Sequence, residues 1–207
     1  MKRRHFIKSA VMGAVAIGLS LFPHHLYAGE IKKYAHIREV LKEIPREKVV
    51  ILTKTVANTA DEMKEALDRF RKELGTDYID IILLHALQAG DWNEQKKGVM
   101  EVLSQAREYG ILRAHGVSCH SFMAMETAVD EPWAQVMLSR FNPGEAMMDG
   151  SVPEIRKLLE SYQENGKGVI QMKVFGAGKL IDRMDECLQF SMGHSCIDSF
   201  TIGIEQA

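Results

Sequence analysis

The chain is short of cysteine, carries no excess of one charge, and has no apolar run long enough to cross a bilayer comfortably. Its 207 residues contain three cysteines, Cys119, Cys187 and Cys196. An odd count without paired spacing argues against a disulfide framework and leaves room for a single Cys187–Cys196 bridge in an exported protein. Lys and Arg number 26 against 28 Asp and Glu, a net charge of −2, so no basic surface argues for nucleic acid. The charges alternate in sign, as on solvated helix faces. No apolar strand opens into a G-x-G-x-x-G turn, which weakens a dinucleotide-binding open sheet. The "GAG" after Phe175 is a fragment of that pattern and comes too late in the chain. What is present, close to half apolar residues and about a quarter charged, suits one soluble domain with a core of its own.

The N-terminus reads differently from the rest. "MKRRHFIKSAVMGAVAIGLSLFPHHLYAGE" has a basic start, an apolar stretch over residues 10–22, and Ala28 at a cleavage-like position. That is the layout of a secretory signal, and its apolar part falls short of the roughly 20 residues a spanning helix needs. Arg3, Arg4, Phe6, Ile7 and Lys8 resemble the twin-arginine export signal. Residues 1–28 are therefore expected to be a signal peptide, the protein exported to the periplasm or beyond, and residues 29–207 the folded domain, with no stable transmembrane span.

Along that domain, short apolar runs alternate with amphipathic stretches. "KVVILTKT", "DYIDIILLH", "ILRAHGVSC", "AQVMLSRFN", "KGVIQMKVFG" and "CIDSFTIGI" read as buried strands. Between them lie helical patterns, for example "TADEMKEALDRFRKELG", with Thr59 or Asp61 as cap and Gly75 just past the end; a further helix, "KYAHIREVLKEI", precedes the first strand. Repeated strand–helix units imply parallel strands with right-handed crossovers. The strand ends carry Lys54, His85, Ser118 with His120, Asn142, Lys173 and the turn at Gly203. Chemically able residues at nearly every strand end fit a (β/α)8 TIM-barrel type, incomplete, with about six of its eight units. An open sheet would gather them at one switch point.

Three stretches then resemble the aldo/keto reductase superfamily: "VVILTKT" with Lys54, "LGTDYIDIILLHAL" with His85, and "ILRAHGVSCHS". "FNPGE", "GVIQMKVFGAGKL" and "FTIGIE" extend the resemblance from about Ile37 to the C-terminus. It implies an NADPH-dependent oxidoreductase acting on a small carbonyl or alcohol substrate. The family's catalytic set is Tyr, Lys, His and Asp. Lys54 and His85 match two of these positions. Tyr34, the only tyrosine between Ala28 and Lys54, is the candidate acid, though its spacing is short and its surroundings differ from the family pattern. No aspartate lies in that span. For the NADP cofactor the resemblance points to Ser118, Asn142, Lys173 and Gly203. Cys119 replaces an amide-bearing residue, and Met172 stands where an aromatic ring often stacks on the nicotinamide.

Two other readings stand beside this one. A non-catalytic binding module of the same fold would keep the barrel without the chemistry. A metal-dependent hydrolase would draw on His85, His115, Cys119 and His120. No H-x-H pair exists, and strand alternation sets His115 and Cys119 opposite Ser118 and His120. With six strands, the strand bearing Lys54 and the last strand are expected to be open edges, which a homo-oligomer could cover.

Overall fold

The computed structural model describes residues 15–18 and 34–203. Arg3, Arg4, Phe6, Ile7, Lys8 and Ala28, on which the export reading rests, lie outside the described residues.

Seven strands form one sheet: β1 Val15–Gly18, β2 Val49–Thr55, β3 Ile79–Leu87, β4 Leu112–Cys119, β5 Val136–Arg140, β6 Gly168–Met172 and β7 Ser199–Phe200. Every pairing is parallel, and spatial order equals sequence order. Each strand is added beside the one before it, with no reversal. That is the winding of a barrel rather than of a doubly wound sheet. The described residues show no pairing of β7 with β1, so the barrel is partial.

Six strands fall where the apolar runs place them; β1 does not. It lies inside the stretch expected to be the apolar middle of an export signal, and it pairs with β2 from Val15↔Val49 to Gly18↔Leu52. The strand bearing Lys54 is therefore not an open edge. "VAIG" is short, β-branched and apolar, a composition that suits a buried strand as well as a signal. The last strand is cut to two residues, against an expected run of about nine. There the Asp198 carboxylate accepts from the Val169 amide at 2.9 Å and from the Gln163 side chain at 3.0 Å, beside the backbone bond from the Asp198 amide to the Val169 carbonyl.

The helices are α1 Ala35–Glu43, α2 Ala60–Leu74, α3 Lys97–Glu108, α4 Phe122–Asp130, α5 Val152–Glu164 and α6 Met184–Gly193. Caps fix their starts. The Thr59 hydroxyl accepts from the Glu62 amide at 3.2 Å, and Gly75 closes α2 in the left-handed region at φ 67°. Ser121 caps α4 and donates to the Gln88 carbonyl at 2.6 Å, tying the helix to the loop after β3.

Alternation along the strands makes two cores. Val49, Ile51, Ile82, Leu84, Val117, Cys119 and Met137 face outward and pack with Phe70, Leu103 and Tyr162 from the helices. Val50, Leu52, Ile81, Leu83, Ala114, Val136, Leu138, Ile170 and Met172 form a separate inner cluster. Gly116 lies in that inner row. A Cβ there would sit 1.9 Å from the Val136 carbonyl oxygen, so the close approach of β4 to β5 requires glycine.

Below the inner cluster, at the N-terminal ends of the strands, Asp80 is 0% exposed. It binds Arg46 at 2.6 Å, Arg113 at 2.9 Å and the Ile51 amide at 2.9 Å. Arg46 also lies over the Tyr78 ring, 3.9 Å from its centre. This buried carboxylate clamps β2, β3 and β4 together.

Candidate active site

The C-terminal ends of the inner rows form the site. On β2 the row Val50, Leu52 runs on to Lys54; on β3 Ile81, Leu83 runs on to His85; on β4 Ala114, Gly116, Ser118 runs on to His120; on β5 Val136, Leu138 runs on to Arg140. Strand parity alone sends these polar side chains into the mouth of the partial barrel. His85 and His120 meet edge to face, ring centres 5.7 Å apart. Just after His85 the chain makes a bulge, with Ala86 at φ 55° and the ladder register shifting between Leu84 and Leu87. A left-handed alanine is uncommon and costs backbone energy, and such strain collects at functional sites.

Lys54 is 5% exposed. Its ammonium makes no hydrogen bond or ion pair among the described residues. Burial, and then the charge of Lys173, lower its pKa from 10.5 to about 8. Lys173 reaches the mouth through its own left-handed backbone, φ 56°. His120 is held below the ordinary histidine value, chiefly by burial and then by Arg140. Arg140 is itself paired with Asp149, through Nε at 2.9 Å and a second, shorter contact from Nη2. The Ser118 hydroxyl is fully buried and has no hydrogen-bond partner among the described residues. The mouth thus holds a cation without a counterion, two imidazoles, and a hydroxyl without a partner.

Other expected residues are placed elsewhere. Tyr34 is buried on the outer side of the sheet, its hydroxyl 3.0 Å from Thr53 Oγ1 and its ring edge-on to Phe70. Thr53 and Lys54 are neighbours on β2 and point to opposite faces, so Tyr34 does not reach the lysine. No described tyrosine stands at the mouth: Tyr78 lies at the opposite strand ends, Tyr109 is exposed, and Tyr162 bonds the Ala134 carbonyl in the outer core. Tyr27 lies outside the described residues. Asn142 is buried, but its amide is spent within the protein. It donates to the Ala146 carbonyl at 2.9 Å and the Lys173 carbonyl at 3.3 Å, and accepts from the Ala146 amide at 3.0 Å. It staples the loop after β5 with both of its donors. Gly203 is exposed, with nothing within 4 Å of a Cβ built on it.

The four residues considered for a metal are divided by the sheet. His115 stacks on Trp133 with ring centres 4.3 Å apart and bonds its carbonyl. Cys119 lies in the outer core, where burial pushes its thiol pKa up. Only His85 and His120 share the mouth, and the described residues contain no group of three or more potential ligands. Cys187 and Cys196 stand as free buried thiols. No helix among the described residues is long and apolar enough to cross a membrane.

Arg140 and Asp149 are the site residues that motif reasoning missed. Arg140 was in plain view, at the fourth strand end on the inner parity. Asp149 lies in a loop and becomes visible only once the chain is folded.

Residues 25–195 match the aldo/keto reductase family. The chain belongs to that family. It is 26% identical over 242 residues to the NAD/NADP-dependent indole-3-acetaldehyde reductase of Schizosaccharomyces pombe, covering 95% of this chain and 80% of that protein. Among solved structures, the holo form of the aldo-keto reductase AKR11C1 from Bacillus halodurans superposes with a TM-score of 0.65 at 16% identity, over 82% of this chain and 66% of that one. MGS-M4, an aldo-keto reductase from a Medee basin deep-sea metagenome library, superposes with a TM-score of 0.58 at 19% identity, over 88% of this chain and 63% of that one. The chain therefore spans just under two thirds of the length of these solved relatives. They bear out the incomplete (β/α)8 barrel as an aldo/keto reductase fold.

Proposed function

We propose that the chain is a nicotinamide-dependent oxidoreductase of small aldehydes, with NADPH as the preferred cofactor. The observation that carries this reading is the pairing of Lys54 and His85 at adjacent inner strand ends, where strand parity directs both into one mouth. The name of the fission-yeast relative supports an aldehyde as the substrate class. The mouth also fits the amide end of the cofactor. Ser118 offers a buried hydroxyl with no internal partner, and Lys173 offers a cation without an ion pair among the described residues. Asn142 and Tyr34 do not belong to this fit.

When bound, the cofactor supplies a hydride to the carbonyl carbon. The chain's own residues do the rest. His85 donates a hydrogen bond to the carbonyl oxygen and orients it. Lys54, poised near pKa 8, stabilises the negative charge that develops on that oxygen and delivers the proton. Little water competes, since Lys54 as a whole is nearly fully buried. Titration with NADPH and NADH, read by nicotinamide fluorescence, followed by NADPH oxidation over a panel of aldehydes, tests the proposal. Absence of cofactor binding at high micromolar concentration overturns it and favours the binding module.

Export by the twin-arginine route belongs to the same proposal, supported by Arg3, Arg4, Phe6 and Lys8 in the expected pattern. Cell fractionation of the tagged chain beside an Arg3→Lys, Arg4→Lys variant checks it. The variant should stay in the cytoplasm while the parent does not.

A further inference from the structure

We propose that Lys54 is also an amine nucleophile, which joins a small aldehyde or ketone as a Schiff base in the mouth of the barrel. The inference rests on the reading that the mouth admits a carbonyl compound, but it needs no cofactor.

Three observations meet here. First, Lys54 is 5% exposed and its amine has no hydrogen bond or ion pair among the described residues. A structural lysine buried to this degree is normally paired, because an isolated buried charge is costly. Lys167 shows the contrast within this molecule: its ammonium donates to the carbonyls of Ala128, Val129 and Glu131 at 2.7–2.8 Å. Second, no described tyrosine or free carboxylate stands at the mouth to occupy Lys54 as a charge partner. Tyr34 is on the other face, and Asp149 is held by Arg140. Third, the groups that do face Lys54 favour its neutral form. Lys173 presents a like charge, His120 is biased towards the neutral imidazole, His85 lies beside it, and the Arg140 charge is balanced by Asp149. A desolvated lysine beside another cation is a recognised way to make an amine reactive near neutral pH.

The step balances without an oxidant or reductant. The neutral amine nitrogen adds to the carbonyl carbon, so a C–N bond forms as the C–O π bond breaks. The nitrogen gives up one proton to an imidazole at the mouth, His120 or His85, and that imidazolium passes it to the oxygen. The resulting carbinolamine loses its hydroxyl as water: the remaining N–H proton passes through the same imidazole to the leaving oxygen as the nitrogen lone pair closes the C=N bond. Amine and aldehyde thus become imine and water. Hydrolysis runs the same sequence backwards.

The test is reductive trapping. The full-length protein is incubated with propanal and cyanoborohydride, without any nicotinamide, and digested for peptide mapping. The expected result is one propyl group on Lys54 well before the exposed lysines Lys42 and Lys64 are modified. Lys54→Arg keeps the charge but cannot form an imine, and should lose the fast modification. Lys173→Gln removes the neighbouring charge; it should slow trapping severalfold at neutral pH and move its pH midpoint upward, which a purely structural lysine would not do. Modification confined to surface lysines, with Lys54 unlabelled, overturns the proposal. Aldehyde-dependent NADPH oxidation is measured on the same protein. Reduction without trapping defeats the Schiff base alone. Trapping at Lys54 without NADPH binding defeats the reductase reading alone.

Discussion

Two buried charges stand at opposite ends of the same sheet, and the protein treats them in opposite ways. Asp80, at the N-terminal strand ends, has two arginines and a backbone amide on its carboxylate. Lys54, at the C-terminal ends, has nothing on its ammonium among the described residues and another lysine for company. A charge that serves the fold is saturated from within, because an unpaired one costs several kcal/mol. A charge kept without partners spends stability on a group that only a ligand can satisfy. The bottom of this partial barrel is built to hold three strands in register; the mouth is built to wait.

The sharpest way to break the contrast is at the saturated end. Asp80→Ala leaves Arg46 and Arg113 without their shared carboxylate and the Ile51 amide without an acceptor. It should lower stability by about 3 kcal/mol or more, read as a fall in the urea midpoint. The opposite sign is expected at the mouth. Lys54 has a folded pKa of about 8 against an ordinary 10.5, so its charged form is disfavoured by folding. The penalty is fully present below pH 8 and relieved as pH rises from 8 towards 10.5, because there the unfolded chain binds more protons. Lys54→Met should therefore gain about 2 kcal/mol at neutral pH, flatten the rise of stability with alkaline pH, and abolish carbonyl turnover. Urea titrations at neutral and alkaline pH check all but the last.

Smaller effects sharpen the same comparison. Tyr34→Phe removes the bond to Thr53 and should cost about 1 kcal/mol. If Tyr34 has no part in the chemistry, kcat for aldehyde reduction stays unchanged; a large fall in kcat would return the tyrosine to the site. Ser118→Ala should be smallest in stability, within about 0.5 kcal/mol of the parent or slightly above it, since the hydroxyl has no partner to lose. Its effect should appear as weaker NADPH binding by fluorescence titration.

Much of this arrangement is legible in the sequence. Apolar β-branched runs give six strands, Thr59 and Gly75 bracket their helix, and the motif around "LGTDYIDIILLH" finds His85. The outward placement of His115 and Cys119 follows from counting by twos. The failures have physical reasons. The strand bearing Lys54 reads as an open edge because "VAIG", which pairs with it, suits a signal as well as a strand, and the sequence carries no local mark that chooses between them. Asn142 reads as a strand-end amide, but what consumes that amide is the fold of the loop from Gly144 to Met148, which no periodicity predicts. Tyr34 has the right residue type, but its face is set by how α1 returns into β2 through Pro45, and sequence spacing does not encode that angle. Arg140 is marked by parity alone, and Asp149 by nothing local.

Gly116 has a consequence outside chemistry. Any side chain there would drive into the Val136 backbone, between the two strands that deliver His120 and Arg140. Every amino acid that a single nucleotide change can put in place of glycine carries a Cβ. In a saturation mutagenesis scored by activity, this codon should tolerate no missense change, and it would be mistaken for an active-site position. Its intolerance would measure the closeness of two backbones, at a residue with no functional group to offer.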